Sequence, residues 1–135
     1  MLRDCCLCLH TQRAARNLAR IFDDALRPLN LTNGQFSLLM SLNRPEPATM
    51  KGVAALLAMD RTTLTAALKP LERRGLVKIS QDPADKRSRL LTLTAPGRRL
   101  LVEAFPIWQQ THDAVEQRLS SQRAHLLRGM LNALS

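Results

Sequence analysis

The stretch DCCLCLH, Asp4 to His10, crowds three thiols and an imidazole into a few residues. A thiolate is a nucleophile, a soft-metal ligand and the form of cysteine that oxidants attack. On a helix starting at an Asp4 cap, Cys5 and Cys8 fall at i and i+3 on one face while Cys6 points elsewhere. Three uses fit this cluster. The thiols pack as small hydrophobes at a subunit interface, they switch through a sulfenic acid or a disulfide, or they capture a soft metal or metalloid. No second cluster with zinc-finger spacing follows, so neither a metal site nor a cofactor is assigned. Cys8 with His10 is also the single nucleophile and base pair that a thiol-dependent enzyme would have. Paired carboxylates, a phosphate-binding glycine loop and a nucleophile elbow are all missing from a chain with five glycines.

A second stretch, MDRTTLTAALKPLERRGLVKI from Met59 to Ile79, carries chemistry of another kind. Leu64, Leu68 and Leu71 recur at i, i+4 and i+7, leaving Arg61, Thr62, Thr65, Ala66 and Lys69 on the opposite face. A face that is short-chained and positive is suited to the major groove, where bulky or acidic residues obstruct. Threonine hydroxyls and methyls there meet phosphates and thymine methyls. The bland alternative is a solvated amphipathic helix. The segment QDPADKRSRLL shifts the balance, because it closes a hairpin whose tip offers Asp85, Lys86 and Arg87, with Arg89 just beyond. An arginine there is suited to the adjacent minor groove, where negative potential is focused.

The elements that must position these residues are legible in order. One long helix is expected from Asp4 to Leu29, with Leu7, Leu18, Phe22, Ala25 and Leu26 near helical spacing. Thr32 and Gln35 form a capping box for a second helix, and Thr49 caps a short third with Val53, Leu56 and Leu57 inward. After a break at Ala58 and Met59, Asp60 caps the fourth helix, which Gly75 ends and Pro70 should bend. The pattern then alternates with period two from Leu76 and again from Ser88, predicting a two-stranded wing. Thr94 before APG caps a long helix that Pro106 should kink, and SSQRAHLLRGMLNALS closes the chain as a helix. Two short helices joined by a tight break, followed by a wing, describe a mainly α winged helix-turn-helix.

Charge supports a polyanionic partner. The formal net charge is +9, and residues 49 to 99 hold eleven Lys/Arg against four Asp/Glu. Phe22, Phe36, Phe105 and Trp108 are the only aromatics, too few to stack unpaired bases, so duplex DNA is favoured over single strands. A winged-helix module for RNA or protein remains the alternative partner reading, beside the thiol enzyme. The N-terminal stretch lacks a signal-peptide pattern and no apolar run reaches membrane-spanning length, which predicts no membrane partner, a cytoplasmic address and reduced thiols.

The segments LTNGQFSLLMSL, LLAMDRTTLTAALKPLERRGLVKI and DPADKRSRLLTLTAPGRRLL resemble the MarR family of winged-helix transcriptional regulators. The resemblance spans nearly the whole chain. It implies a single domain over 1–135, with residues 31–94 as the DNA-binding region and 1–30 plus 95–135 as an all-helical dimerisation region. It further implies Asp60 to Lys69 as recognition helix and Arg87 as the minor-groove arginine, with Asp85 holding it. Ala66 stands where many relatives carry arginine, which leaves Arg61, Thr62, Thr63 and Thr65, with Lys69, Lys86, Arg87 and Arg89, as the expected DNA contacts. Aligning LCLHTQRAAR with the organic hydroperoxide regulators (OhrR) of that family puts Cys8 at their peroxide-reactive cysteine. This chain lacks their tyrosines, so His10 or another group would take that place, with Cys5 and Cys6 as further sensing thiols. The expected function is a homodimeric, sequence-specific repressor on a near-palindromic operator. Its release is expected from a small phenolic or other apolar ligand or from thiol modification.

Overall fold

In the computed structural model, which describes residues 1–135, four of the five side chains read from the sequence as caps, Thr32, Thr49, Asp60 and Thr94, start their helices. Thr32 Oγ1 accepts from the Gln35 amide and Gln35 Oε1 from the Thr32 amide, both at 3.1 Å, opening α3 (Asn33–Ser41). Helix α1 is Leu2–Cys5, α2 is Leu7–Leu26, and a 3-10 turn, Arg27–Leu29, links α2 to α3. Thr49 opens α4 (Met50–Leu56) and Asp60 opens α5 (Arg61–Arg73). Thr94 opens α6 (Ala95–Glu116) and Ser120 opens α7 (Ser121–Asn132). No helix is long and apolar enough to cross a membrane.

Three expectations change here. The chain breaks at Cys6, so Asp4 caps nothing and Cys5 ends α1 while Cys8 belongs to α2; they do not share a helix face. The physical reason is Cys6 itself, extended at φ −76 and ψ 106, whose Sγ accepts the Leu9 amide as the N-cap of α2. Leu56 points outward and is 68% exposed, because α4 ends there and Val53 and Leu57 already fill its inner side. The wing has a third strand. β1 (Ala48–Thr49) pairs antiparallel with β3 (Arg89–Leu93), on whose other side lies β2 (Val77–Gln81), giving the order β1-β3-β2.

The core is continuous across these elements. Leu26 of α2, Leu38 and Leu39 of α3, and Leu64, Leu68 and Leu71 of α5 are almost completely buried with Leu91 of β3. Side chains of this size each contribute about 1.5–3 kcal/mol on burial, so the leucine stripe seats α5 firmly and turns its other face out. Pro70 stays inside α5, which runs without interruption to Arg73. Gly75, at φ 72, then reverses the chain into β2.

The start of α6 is laced to that reversal. Thr94 Oγ1 donates to the Gly75 carbonyl at 2.6 Å and accepts the Gly97 amide at 3.1 Å, and the Thr94 amide donates to the Leu76 carbonyl. Gly97 is buried there, and a Cβ at this position would collide with the Leu76 carbonyl oxygen and lie 2.9 Å from Leu93 Cδ1. Gly97→Ala is therefore expected to destabilise the fold by about 2–3 kcal/mol. A lowered urea midpoint at unchanged slope is the measurement; an unchanged midpoint would show that the contact relaxes freely.

Candidate nucleic-acid interface

The outer face of α5 is a shallow concavity formed by Arg61, Thr62, Thr65, Ala66 and Lys69. Its threonines differ in what they have free. Thr63 commits both donors to Asp60, its amide to Oδ1 at 2.7 Å and its hydroxyl to Oδ2 at 2.9 Å. Thr65 donates its hydroxyl to the Arg61 carbonyl at 2.8 Å, leaving its methyl and an acceptor outward. Thr62 makes no side-chain hydrogen bond and is exposed, so its hydroxyl is free in both senses.

The wing tip is fixed by main-chain turns. Asp85 Oδ1 accepts the Arg87 amide at 3.0 Å, Asp82 Oδ1 accepts the Ala84 amide at 2.9 Å, and Gln81 Nε2 donates to the Lys86 carbonyl. Asp85 thus holds Arg87 through its backbone, and no ion pair ties up the guanidinium. Lys86, Arg87 and Arg89 are all exposed. A second concavity joins wing and helix, lined by Lys51, Arg61, Asp85, Arg87 and Arg89 with Met50 and Ser88. Arg61 belongs to both surfaces, so helix face and wing base form one cationic strip. Lys51 in this concavity is an addition to the residues expected from the sequence. Its signal was a lysine in the first turn of α4, where the positive end of the helix disfavours a cation unless an anion is near.

The cysteines lie elsewhere. All three thiols are exposed; Cys5 Sγ donates to the Leu2 carbonyl and Gln12 Nε2 donates to Cys8 Sγ at 3.3 Å. His10 Nε2 lies 3.1 Å from the Asp4 carbonyl, across the break between α1 and α2. These groups join no set of three or more His, Cys, Asp or Glu side chains arranged to hold a metal ion. A separate cleft of about 220 Å³ runs between α2, α3 and α6, lined by Phe22, Leu26, Asn33, Phe36, Trp108 and His112 with Ser37. Trp108 stacks with Phe36 at 5.9 Å and with His112 at 4.6 Å.

Known proteins share this arrangement. Residues 31–88 match the MarR family model. The transcriptional regulator HosA of Escherichia coli O111:H- is 36% identical over 110 residues, spanning 70% of this chain and 82% of HosA. The chain belongs to the MarR family. It is a DNA-binding transcriptional regulator of the winged helix-turn-helix fold. The organic hydroperoxide resistance transcriptional regulator of Bacillus subtilis is 33% identical over 101 residues, 75% of this chain and 69% of that one. The Mycobacterium tuberculosis transcriptional regulator MosR, solved in complex with DNA, superposes with a TM-score of 0.84 at 38% identity, covering 95% of this chain and 92% of MosR. These relatives are transcriptional regulators, which sets the thiol-enzyme reading aside.

The Asp60 cap ties the start of α5 to pH. Hydrogen bonds from the Thr63 amide and hydroxyl hold the Asp60 carboxyl below the usual carboxylate range. A depressed carboxyl stabilises the folded state above its unfolded value, and this contribution is lost as pH falls through the folded value. Asp60→Asn is expected to be less stable than wild type near neutrality and to converge with it in acid. Urea midpoints across that pH range test this; a constant gap between the two would contradict the assignment.

Proposed function

We propose that the regulator is a homodimeric repressor that occupies a near-palindromic operator and leaves it on binding a small apolar ligand. In this reading residues 31–94 form the DNA-binding region, and 1–30 with 95–135 form the dimerisation region. Arg61, Thr62, Thr65 and Lys69 meet the major groove, Thr63 serves the Asp60 cap, and Arg87, with Lys86 and Arg89, reaches the minor groove and its phosphates. Lys51 joins them as a phosphate contact. The observation that carries the reading is the sharing of Arg61 by the α5 face and the wing base, which makes a single cationic surface of two elements. Two such surfaces fit successive major grooves about 34–36 Å apart.

Dimerisation is supported by apolar side chains that one chain leaves in water. Leu127, Met130 and Leu131 form a stripe on α7, with Met130 60% exposed. Val102 and Phe105 on α6 and Leu7 and Leu18 on α2 are exposed as well. For a chain of this size such surface marks an interface. The effector site in this reading is the cleft around Trp108. A cavity of about 150 Å³ accepts benzene, so a cleft of about 220 Å³ suits a single-ring compound seated among Phe22, Phe36, Trp108 and His112.

Thiol control is a second reading, favoured by three exposed cysteines beside His10 and by similarity to the Bacillus regulator. Selection of bound duplexes from a random pool, repeated with hydroperoxide, arsenite and aromatic acids, tests both. Enrichment of an inverted repeat, lost with one addition, is the expected result. Failure to enrich any duplex defeats the operator reading, and release of a Cys8→Ser variant by hydroperoxide as readily as wild type removes Cys8 as the sensor.

A further inference from the structure

The recognition helix is anchored at the end away from the wing tip by a contact that neither the core nor the DNA surface explains. Arg74, just past α5, donates from Nη1 to the Asn30 carbonyl at 2.7 Å. This hydrogen bond spans 44 positions, more than any other made by a side chain in the molecule. No other side-chain hydrogen bond joins α5 to the helical region that precedes it.

The acceptor is itself held in place. Asn30 closes the 3-10 turn in a left-handed conformation, φ 52 and ψ 46, with its amide bonded to the Arg27 carbonyl. The Leu31 amide returns to the Leu26 carbonyl at the end of α2. On the other side Asp23 of α2 accepts both the amide and Nδ2 of Asn33, at 2.7 and 2.8 Å, at the first residue of α3. Asp23, Arg27, Asn30, Gln35 and Arg74 line one polar concavity between the three helices. The end of α2 therefore fixes a carbonyl, and that carbonyl fixes the end of α5.

We infer that Arg74 is a positioning residue for DNA recognition: it ties the tilt of the recognition helix to α2. The inference rests on the DNA-binding reading. Apolar packing of Leu64, Leu68 and Leu71 seats α5 but is non-directional, so it restrains rocking less than a hydrogen bond does. Arg61 and Arg74 stand at opposite ends of α5, about 20 Å apart at 1.5 Å per residue. A tilt of about 10° about the tied end moves the other by about 3–4 Å, more than a base contact tolerates. In a dimer, that tilt sets the distance between the two recognition helices and hence the half-site spacing that binds best.

The test uses the full chain, an operator recovered from the random pool, and versions with the half-sites one base pair closer or farther apart. Affinity is measured across a salt series. Arg74→Ala is expected to bind the parent operator about three- to tenfold more weakly. Its salt slope should match wild type, because no phosphate contact is lost, and its discrimination between spacings should shrink. Arg74→Lys keeps a donor and should recover most of that discrimination. Circular dichroism on the same samples confines the comparison to folded protein. A slope shallower by about one per chain would make Arg74 a phosphate contact and overturn the inference. Unchanged affinity and spacing preference would overturn it too. Wild type that binds no duplex removes the DNA reading and the tie with it, whereas wild type binding matched by Arg74→Ala removes the tie alone.

Discussion

Arg87→Ala is expected to weaken binding to every duplex by a similar factor, about ten- to hundredfold at moderate salt, and to flatten the salt dependence. The affinity of a cationic surface for DNA comes largely from counterions released by the phosphates, so log K falls linearly with log salt in proportion to the contacts made. Removing one contact per chain should reduce the slope by about one for each chain. Arg87 is exposed, unpaired, and carried on a tip whose backbone Asp85 and Gln81 hold rigid. The substitution should therefore remove charge without disturbing the wing. Arg61→Ala, by contrast, acts in the first turn of α5, which the proposed reading places against base edges, and should also relax sequence preference. Fluorescence anisotropy at several salt concentrations, with selected and scrambled duplexes, separates the two. If Arg87→Ala keeps the wild-type slope, the wing does not touch the backbone and the interface is wrongly drawn.

Met130→Glu is expected to yield a monomer and to reduce operator affinity by a hundredfold or more. A carboxylate placed in the α7 stripe with Leu127 and Leu131 would be buried unpaired in any interface formed there, at several kcal/mol per chain. The loss in DNA binding follows from linkage. In a dimer the second half-site is engaged at an effective concentration in the millimolar range, and a monomer forfeits that advantage without losing any DNA contact of its own. Light scattering after size exclusion reads the first effect, and binding to one half-site against two reads the second. A variant that remains dimeric would move the interface off α7. Met130 is 60% exposed in the single chain and lies outside the core, so thermal unfolding of the monomer should still be cooperative.

The two experiments also separate what each end of the molecule does. Loss of slope without loss of the dimer marks the wing, while loss of the dimer with half-site binding intact marks the terminal helices.

Helix boundaries were written in the sequence wherever a cap and a leucine stripe coincide. Thr32, Thr49, Asp60, Thr94 and Ser120 each accept an amide in the first turn that follows. Local bonds of this kind depend on residues three apart and need no knowledge of the rest of the chain. The same holds for the outward face of α5, because Leu64, Leu68 and Leu71 decide which side is left for Arg61, Thr62, Thr65 and Lys69. Fold, family and the cationic helix and hairpin were legible for that reason.

Relations between distant segments had to come from the tertiary structure. β1 is two residues long, too short for any period, and exists because Ala48 meets Leu91 of a strand far along the chain. Lys51 comes beside Arg61 and Arg87 for the same reason, since that pairing brings the start of α4 next to the wing. The break at Cys6, which parts Cys5 from Cys8, turns on a sulfur acting as a cap, a weak acceptor that sequence patterns do not weigh. Arg74 has no local signal that sets it apart, because its acceptor, the Asn30 carbonyl, lies 44 positions away. Sequence determines what its near neighbours can bond; which far neighbours arrive is settled by how the one shared core closes.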